Sequence, residues 1–165
     1  MGKTIGFLKV IIVEGKRLAV RDFISSDPYV IVRVGEQLEK TKVIKSCLNP
    51  VWNEELTFSI TEPVTDLKLE VFDRDRFKVD DKMGHAFLSL QPIISASKLK
   101  RALKLSTGES ETNLRKVAPN MDNCLIVDSF VTFVDGEIVQ DAYLKLQAVE
   151  SGELFVKLKW YDLPT

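Results

Sequence analysis

Short runs in which apolar and polar residues alternate recur along most of the chain, separated by turn-forming residues. Phe7, Val10 and Ile12 mark the first run, and Tyr29-Val-Ile-Val-Arg-Val34 forms the second. Others run through Lys40-Thr-Lys-Val-Ile44, Glu55-Leu-Thr-Phe-Ser-Ile60, Leu67-Lys-Leu-Glu-Val-Phe72 and Ala86-Phe-Leu-Ser-Leu90. The last, Glu153-Leu-Phe-Val-Lys-Leu-Lys-Trp160, keeps period two throughout. A period of two sends successive side chains to opposite faces, so each run predicts a half-buried strand. Strands following one another without regular helical intervals predict an antiparallel β-sandwich rather than an α/β fold.

Between the sixth and last strands the pattern changes. Pro92 to Leu105 sets Ile93, Ile94, Leu99, Ala102 and Leu103 among lysines, and Pro92 suits a first helical turn, so one helix is expected. The polar stretch Ser106 to Lys116 reads as a loop. Cys124 to Val134 and Ala142 to Gln147 return to strand character, with Asp135-Gly136 as a turn signal. Residues 91–148 or so thus read as an insertion within one domain spanning 1–165.

Composition narrows the function. With 165 residues, 45% of them hydrophobic, the chain is long enough for a single core. A net charge of -1 leaves no global nucleic-acid footprint, so any electrostatic role is local. Two cysteines, Cys47 and Cys124, lack both metal-ligand spacing and disulfide density, which predicts a reducing intracellular compartment. Apolar runs are far too short to span a bilayer, so membrane contact is expected to be peripheral.

The chemistry lies in carboxylates. Asp22 and Asp27 precede the second strand, and Asp73, Asp75, Asp80 and Asp81 follow the fifth. Asp73 and Asp75, two apart at a strand end, present their side chains together. If the two segments meet, their repulsion calls for a cation. Calcium takes six to eight oxygens at flexible distances, whereas zinc prefers His and Cys, and the chain has one histidine, His85. Aspartates also simply solvate turns, which is the competing reading for any one of them. No twelve-residue EF-hand loop is present. A metal-assisted hydrolase with His85 as base is the enzymatic alternative, but His85 has no evident partner, and no phosphate-cradling Gly-x-x-x-x-Gly-Lys motif occurs.

Phe23, Ile24, Phe77 and Val79 are apolar within these loops and suit shallow insertion into a membrane, or else packing between loops. Arg33, Lys40 and Lys42 alternate on neighbouring strands and offer a patch for anionic lipid, or protect a sheet edge. Lys98, Lys100, Arg101 and Lys104 belong to the expected helix and read as its solvated face.

Three motifs in order resemble the C2 domain. Asp22-Phe-Ile-Ser-Ser-Asp-Pro-Tyr-Val30 looks like its first calcium loop, Asn49-Pro-Val-Trp-Asn53 like its Asn-Pro-x-Trp-Asn turn, and Val71-Phe-Asp-Arg-Asp75 with Asp81-Lys-Met-Gly84 like its third loop. The resemblance implies an all-β, eight-stranded antiparallel sandwich. Gly6-Phe-Leu-Lys-Val10 at the start and Gly152-Glu-Leu-Phe-Val156 near the end resemble the type II topology, with the helix-containing insertion before the last strand. By that match Asp22, Asp27, Asp73, Asp75 and Asp81 would bind Ca2+ through side chains, Arg21 and Arg74 through backbone carbonyls, with Asp80 extra.

Leu18-Ala-Val-Arg-Asp22, Asn123-Cys-Leu125 and Trp160-Tyr-Asp-Leu-Pro164 are further similar to the plant C2-domain abscisic-acid-related proteins. That family implies a cytoplasmic protein that binds anionic phospholipid in a calcium-dependent way, becomes peripheral to the plasma membrane on calcium binding, and recruits abscisic acid receptors there. It also implies a nuclear pool and, for some members, stimulation of an unconventional GTPase, with no catalysis of their own. The alternative is a calcium-independent adaptor working through the inserted helix and strands. Glu150-Ser-Gly-Glu153 stands where the plant family has Glu-Cys-Gly-Glu, a departure expected to leave the metal site untouched.

Overall fold

The computed structural model describes residues 2–21, 24–103 and 111–164. Asp22, Phe23 and Lys104 therefore fall outside the described residues. The elements are β1 (Thr4–Lys16), β2 (Pro28–Val34), β3 (Gln37–Lys40), β4 (Val51–Thr61), β5 (Leu67–Asp73), β6 (Asp81–Leu88), α1 (Gln91–Leu103), β7 (Thr112–Val117), β8 (Ser129–Val134), β9 (Glu137–Lys145) and β10 (Glu153–Asp162).

All strand pairs are antiparallel. One sheet has the order β4-β1-β10-β9-β8-β7, the other β3-β2-β5-β6. Eight strands, β4-β1-β10-β9 over β3-β2-β5-β6, form the sandwich expected from the sequence, and β8 and β7 lengthen the first sheet beyond β9. Alternate residues point inward as period two demands: Leu8, Val10 and Ile12 of β1 and Val156 and Leu158 of β10 meet Val30, Val32, Leu69 and Val71 from the facing sheet, all buried.

Helix α1 covers the long sheet. Ile93, Ile94 and Ala96 are buried, and the Lys100 ammonium lies 5.0 Å from the ring centroid of buried Phe133 on β8. The extension thus shares the main core instead of hanging from it.

Three local expectations are corrected. Residues 41–44 are not strand, because the Thr41 hydroxyl accepts the Val30 N–H at 3.0 Å and takes the place of a ladder carbonyl. The expected loop to Lys116 contains β7, a sheet edge whose inward-facing apolar residue is Leu114; its remaining polarity suits an edge and hid the strand. Regular strand begins at Ser129 rather than Cys124, with residues 118–123 forming a turn and Leu125 making an isolated bridge to Leu144.

The strand directions put the β1–β2, β3–β4, β5–β6, β7–β8 and β9–β10 connections at one end of the sandwich. Every expected metal-binding residue among those described belongs to that end. Among the described residues no helix is long and apolar enough to cross a membrane.

Two predictions test this packing. Phe133→Ala should lower unfolding free energy by about 3–5 kcal/mol while chemical denaturation remains a single transition; loss of the extension alone, as a separate step, would contradict a shared core. At the opposite end of the sandwich, the Glu137 carboxyl is held below its usual range, first by the Tyr161 hydroxyl at 2.8 Å and then by Lys159. A lowered carboxyl pKa contributes stability that is present above the unfolded value near ~4.3 and lost as pH falls through the folded value. Glu137→Gln should therefore cost about 0.5–1 kcal/mol at neutral pH, small because the group is partly exposed, and nothing once the pH has fallen below the folded value in pH-dependent melts.

Candidate metal-binding loops

Strand register assembles the carboxylates. β5 pairs with β6 so that Asp73 faces Asp81, and with β2 so that Asp73 faces Pro28. Asp27 arrives beside them because it precedes Pro28. Like charges directly opposite each other on paired strands are destabilising unless something neutralises them. Asp73 is buried, and its Oδ1 accepts the Asp27 N–H at 2.7 Å. The Asp27 carbonyl accepts the Arg74 N–H at 3.0 Å, and Asp27 Oδ1 accepts the Ser46 N–H at 2.7 Å. One aspartate therefore ties together the connections before β2, before β4 and after β5.

The β5–β6 loop is held from within. Asp75 Oδ1 accepts the N–H groups of Phe77 and Lys78 at 2.8 and 3.2 Å. Asp80 accepts the Asp75 N–H at 2.8 Å through one oxygen and the Tyr29 hydroxyl through the other. The Asp75 amide, then the Tyr29 hydroxyl, holds the Asp80 carboxyl below its usual range. Burial and the Asp80 carboxylate push the Tyr29 hydroxyl up to about 12. Asp80 is thus a brace that fixes the loop to β2.

The Lys78 ammonium lies 3.9 Å from Asp75 and 3.8 Å from Asp81, bridging two expected ligands. Among the described residues no group of three His, Cys, Asp or Glu side chains is drawn close enough to hold an ion. Asp22 is not among them. The donors the register does assemble are all oxygens, the set a hard cation such as calcium takes.

Arg21, expected to offer only its carbonyl, does more. Its guanidinium grips both carboxylate oxygens of Glu150 at 2.9 and 3.0 Å and donates to the Lys82 carbonyl at 3.1 Å. Its backbone N–H donates to Ser26 Oγ at 2.8 Å, and that hydroxyl donates to the Ala19 carbonyl at 2.9 Å. The fork of bonds to Glu150 raises the Arg21 pKa and pulls the Glu150 carboxyl down to about 2. Arg17 makes a second pair with Glu153.

The segment Glu150-Ser-Gly-Glu153 therefore braces the first loop through its two glutamates, the positions it shares with the plant family's pattern, and not through Ser151, where it departs from that pattern. A sequence signal existed in two acids three apart facing two arginines four apart. The same β9–β10 segment presses on β6: Gly84 has φ +101°, and a Cβ there would stand 2.6 Å from the Val149 side chain and 3.0 Å from the Gln147 carbonyl.

Around the carboxylates the surface is apolar at the tips and basic at the side. Ile24, Phe77 and Val79 are 87%, 96% and 88% exposed. Lys40 and Lys42 line an open depression of about 650 Å³ together with Lys45, which the sequence did not single out, and Arg74, which it singled out only for its backbone carbonyl. Arg33 sits apart, paired with Glu70 at 3.2 Å in a different depression that also holds His85. His85 lies on β6 opposite Glu70, with its backbone bonded to Gln147.

A C2-domain family profile matches residues 6–105. The chain belongs to the C2 family. It is 56% identical over 164 residues to Protein C2-DOMAIN ABA-RELATED 11 of Arabidopsis thaliana, covering 99% of this chain and 98% of the relative. GTPase activating protein 1 of Oryza sativa subsp. japonica is 45% identical over 164 residues, covering 99% and 96%. These relatives make it a C2-domain ABA-related protein.

Among solved structures, the calcium-bound pair of C2 domains of Extended-Synaptotagmin 2 matches with TM-score 0.65 and 26% identity, covering 99% of this chain and 48% of that one, so this C2 chain spans about half its length. A single C2 domain of plant Extended Synaptotagmin 1 matches in fold at TM-score 0.64 and 22% identity, covering 99% of both chains.

The brace is testable without metal. Glu150→Gln should speed amide exchange at Arg21 and Cys47, whose N–H bonds hold Ser25 and Ser26, several-fold, while the global unfolding midpoint stays in place. Unchanged exchange at both sites would show that the first loop does not lean on Glu150.

Proposed function

We propose that this C2 domain binds anionic membranes when calcium bridges its aspartates to lipid phosphate. The observation that carries this reading is Asp73 facing Asp81 across paired strands, with Asp27 bonded to Asp73, directly beneath loops whose tips expose Ile24, Phe77 and Val79. Asp22, Asp27, Asp73, Asp75 and Asp81, with the carbonyls of Arg21 and Arg74, would hold the ion. When bound, calcium supplies positive charge and open coordination positions for phosphate oxygens. The chain's own residues do the rest.

Neutralising the aspartates removes their repulsion from an anionic leaflet. The Lys40, Lys42, Lys45 and Arg74 depression then faces the headgroups, each cation worth about 1 kcal/mol near the surface. Phe77, Val79, Phe23 and Ile24 enter the interfacial layer. Family membership supports a signalling role in which the membrane-held domain recruits a protein, abscisic acid receptors or a partner GTPase, and catalyses nothing itself. The extension made by α1, β7 and β8 is the surface on which this family member would hold such a partner.

Co-sedimentation with phosphatidylcholine–phosphatidylserine vesicles tests the bridge. Wild type should sediment with calcium and not with chelator, and the Asp22→Ala, Asp27→Ala double variant should not sediment in either. Lys40→Ala with Lys42→Ala should weaken calcium-dependent binding about tenfold to thirtyfold. Vesicle binding indifferent to chelator and to the aspartate changes would refute the calcium bridge. Deleting Pro92 to Lys116 cannot test partner binding, because Ile93, Ile94, Ala96 and Leu114 are part of the core; substitutions on exposed positions of the extension serve instead.

A further inference from the structure

Among the described residues four large apolar side chains are more than four-fifths exposed: Ile24 at 87%, Phe77 at 96%, Val79 at 88% and Met121 at 100%. The first three belong to the loops just described. Met121 does not; it lies in the β7–β8 connection, which strand direction puts at the same end of the sandwich. The next most exposed, Val51 and Leu103, reach only 55%. A single exposed apolar side chain is ordinary; what sets these four apart is that all of them, the most exposed of the large apolar side chains described, lie at one end of the sandwich.

The turn that carries Met121 is built. Asn120 Oδ1 accepts the Asp122 N–H at 2.7 Å, and Asn123 Oδ1 accepts the N–H groups of Asn120 and Leu125 at 3.2 and 3.1 Å. Asn123 Nδ2 donates to the Ala118 carbonyl at 3.0 Å. The turn is anchored to β9, where Lys145 N–H donates to the Cys124 carbonyl at 2.8 Å and Ile126 N–H to the Tyr143 carbonyl at 2.9 Å. Buried Cys124 and Leu125 fix its base, while Ile126 and Val127 are 40% and 48% exposed beside it. The methionine tip is held out rigidly, and little order has to be gained when it meets a surface.

We propose that the β7–β8 turn is an additional membrane-contact point, inserting Met121 into the same lipid surface that Phe77 and Val79 enter. The occupant is a lipid surface and not a protein groove, because the other three fully bared apolar tips share its end and a flat partner meets all four at once. This inference rests on the membrane reading above. Its consequence is orientation. Residues 124–126 run beside β9, which β10 separates from β1, so the turn stands about 14 Å sideways from the β1 line at three strand spacings. One cluster of loops leaves a domain free to tilt; a second contact to one side fixes the tilt and hence the direction in which α1 and β7 face.

A polarity-sensitive fluorophore tests this. With Cys47→Ser and Cys124→Ala in the background, single cysteines at Met121, at Phe77 and at Glu62 on the opposite end are labelled and mixed with phosphatidylcholine–phosphatidylserine vesicles, with calcium or chelator. Blue-shifted emission with calcium at 121 and 77, and none at 62, is expected. A shift at 77 without one at 121 overturns the proposal and leaves the membrane reading standing. Silence at both positions defeats the membrane reading and this inference together. In the unlabelled chain, Met121→Asp should weaken calcium-dependent vesicle binding about fivefold, as loss of a partly buried apolar side chain requires; unchanged affinity also overturns it. The exposed position and unchanged calcium binding by Met121→Asp separate a lost lipid contact from a damaged fold.

Discussion

Asp73 and Asp81 face each other across paired strands at the end of a sheet, and the electrostatics of that end of the domain is organised around their repulsion. Sheet register leaves no freedom to separate them, because a slip of one residue would turn the apolar side chains of β5 out of the core. Backbone N–H groups do part of the work: Asp73 takes the amide of Asp27, Asp27 that of Ser46, Asp75 those of Phe77 and Lys78, and Asp80 that of Asp75. Each bond removes some negative potential from the cluster and at the same time fixes a loop. Carboxylate chemistry and loop shape are thus one property at this end.

The remaining charge is met by cations that come from the chain itself. Lys78 reaches Asp75 and Asp81, and Arg21 lies close enough to Asp73 and Asp81 for both to favour its charged form. Lys78 is on a flexible stem and well exposed, whereas Arg21 is held by Glu150 and by the Lys82 carbonyl. The two differ accordingly. An ammonium at nearly 4 Å with water around it is a weak counter-ion that a divalent ion outcompetes by charge alone. The clamped guanidinium is part of the scaffold and sets where the first loop begins.

The sequence made most of the sandwich legible because period two is a direct record of burial: Leu69 and Val71 point inward, and Lys68 and Glu70 outward, as the alternation in β5 says. What it concealed follows from physics that periodicity does not encode. β7 carries one inward apolar residue and a polar edge, so it looks like a loop. The strand expected through Thr41 fails because a hydroxyl intercepts a backbone N–H. The five described aspartates were legible as a set, since their chemistry is in their identity. Arg21 was read only for its carbonyl, and the Glu150 that grips it lies more than a hundred residues away, a contact that only the closing of β10 beside β1 creates.

That closure explains why a segment late in the chain bears on the aspartate loops. β10 lies between β1 and β9, so the β9–β10 turn emerges beside the first loop, and anything attached to β9 is carried to the same end. The β8 and β7 extension is attached there, with its connecting turn held to Lys145 and Tyr143. A change of sequence in residues 118–128 or 146–152 therefore reaches the end that carries the aspartate loops through continuous strand hydrogen bonding, without altering the clustered aspartates. Variation among members of this family has a route to alter how the domain sits while the carboxylate cluster, pinned by register, stays as it is.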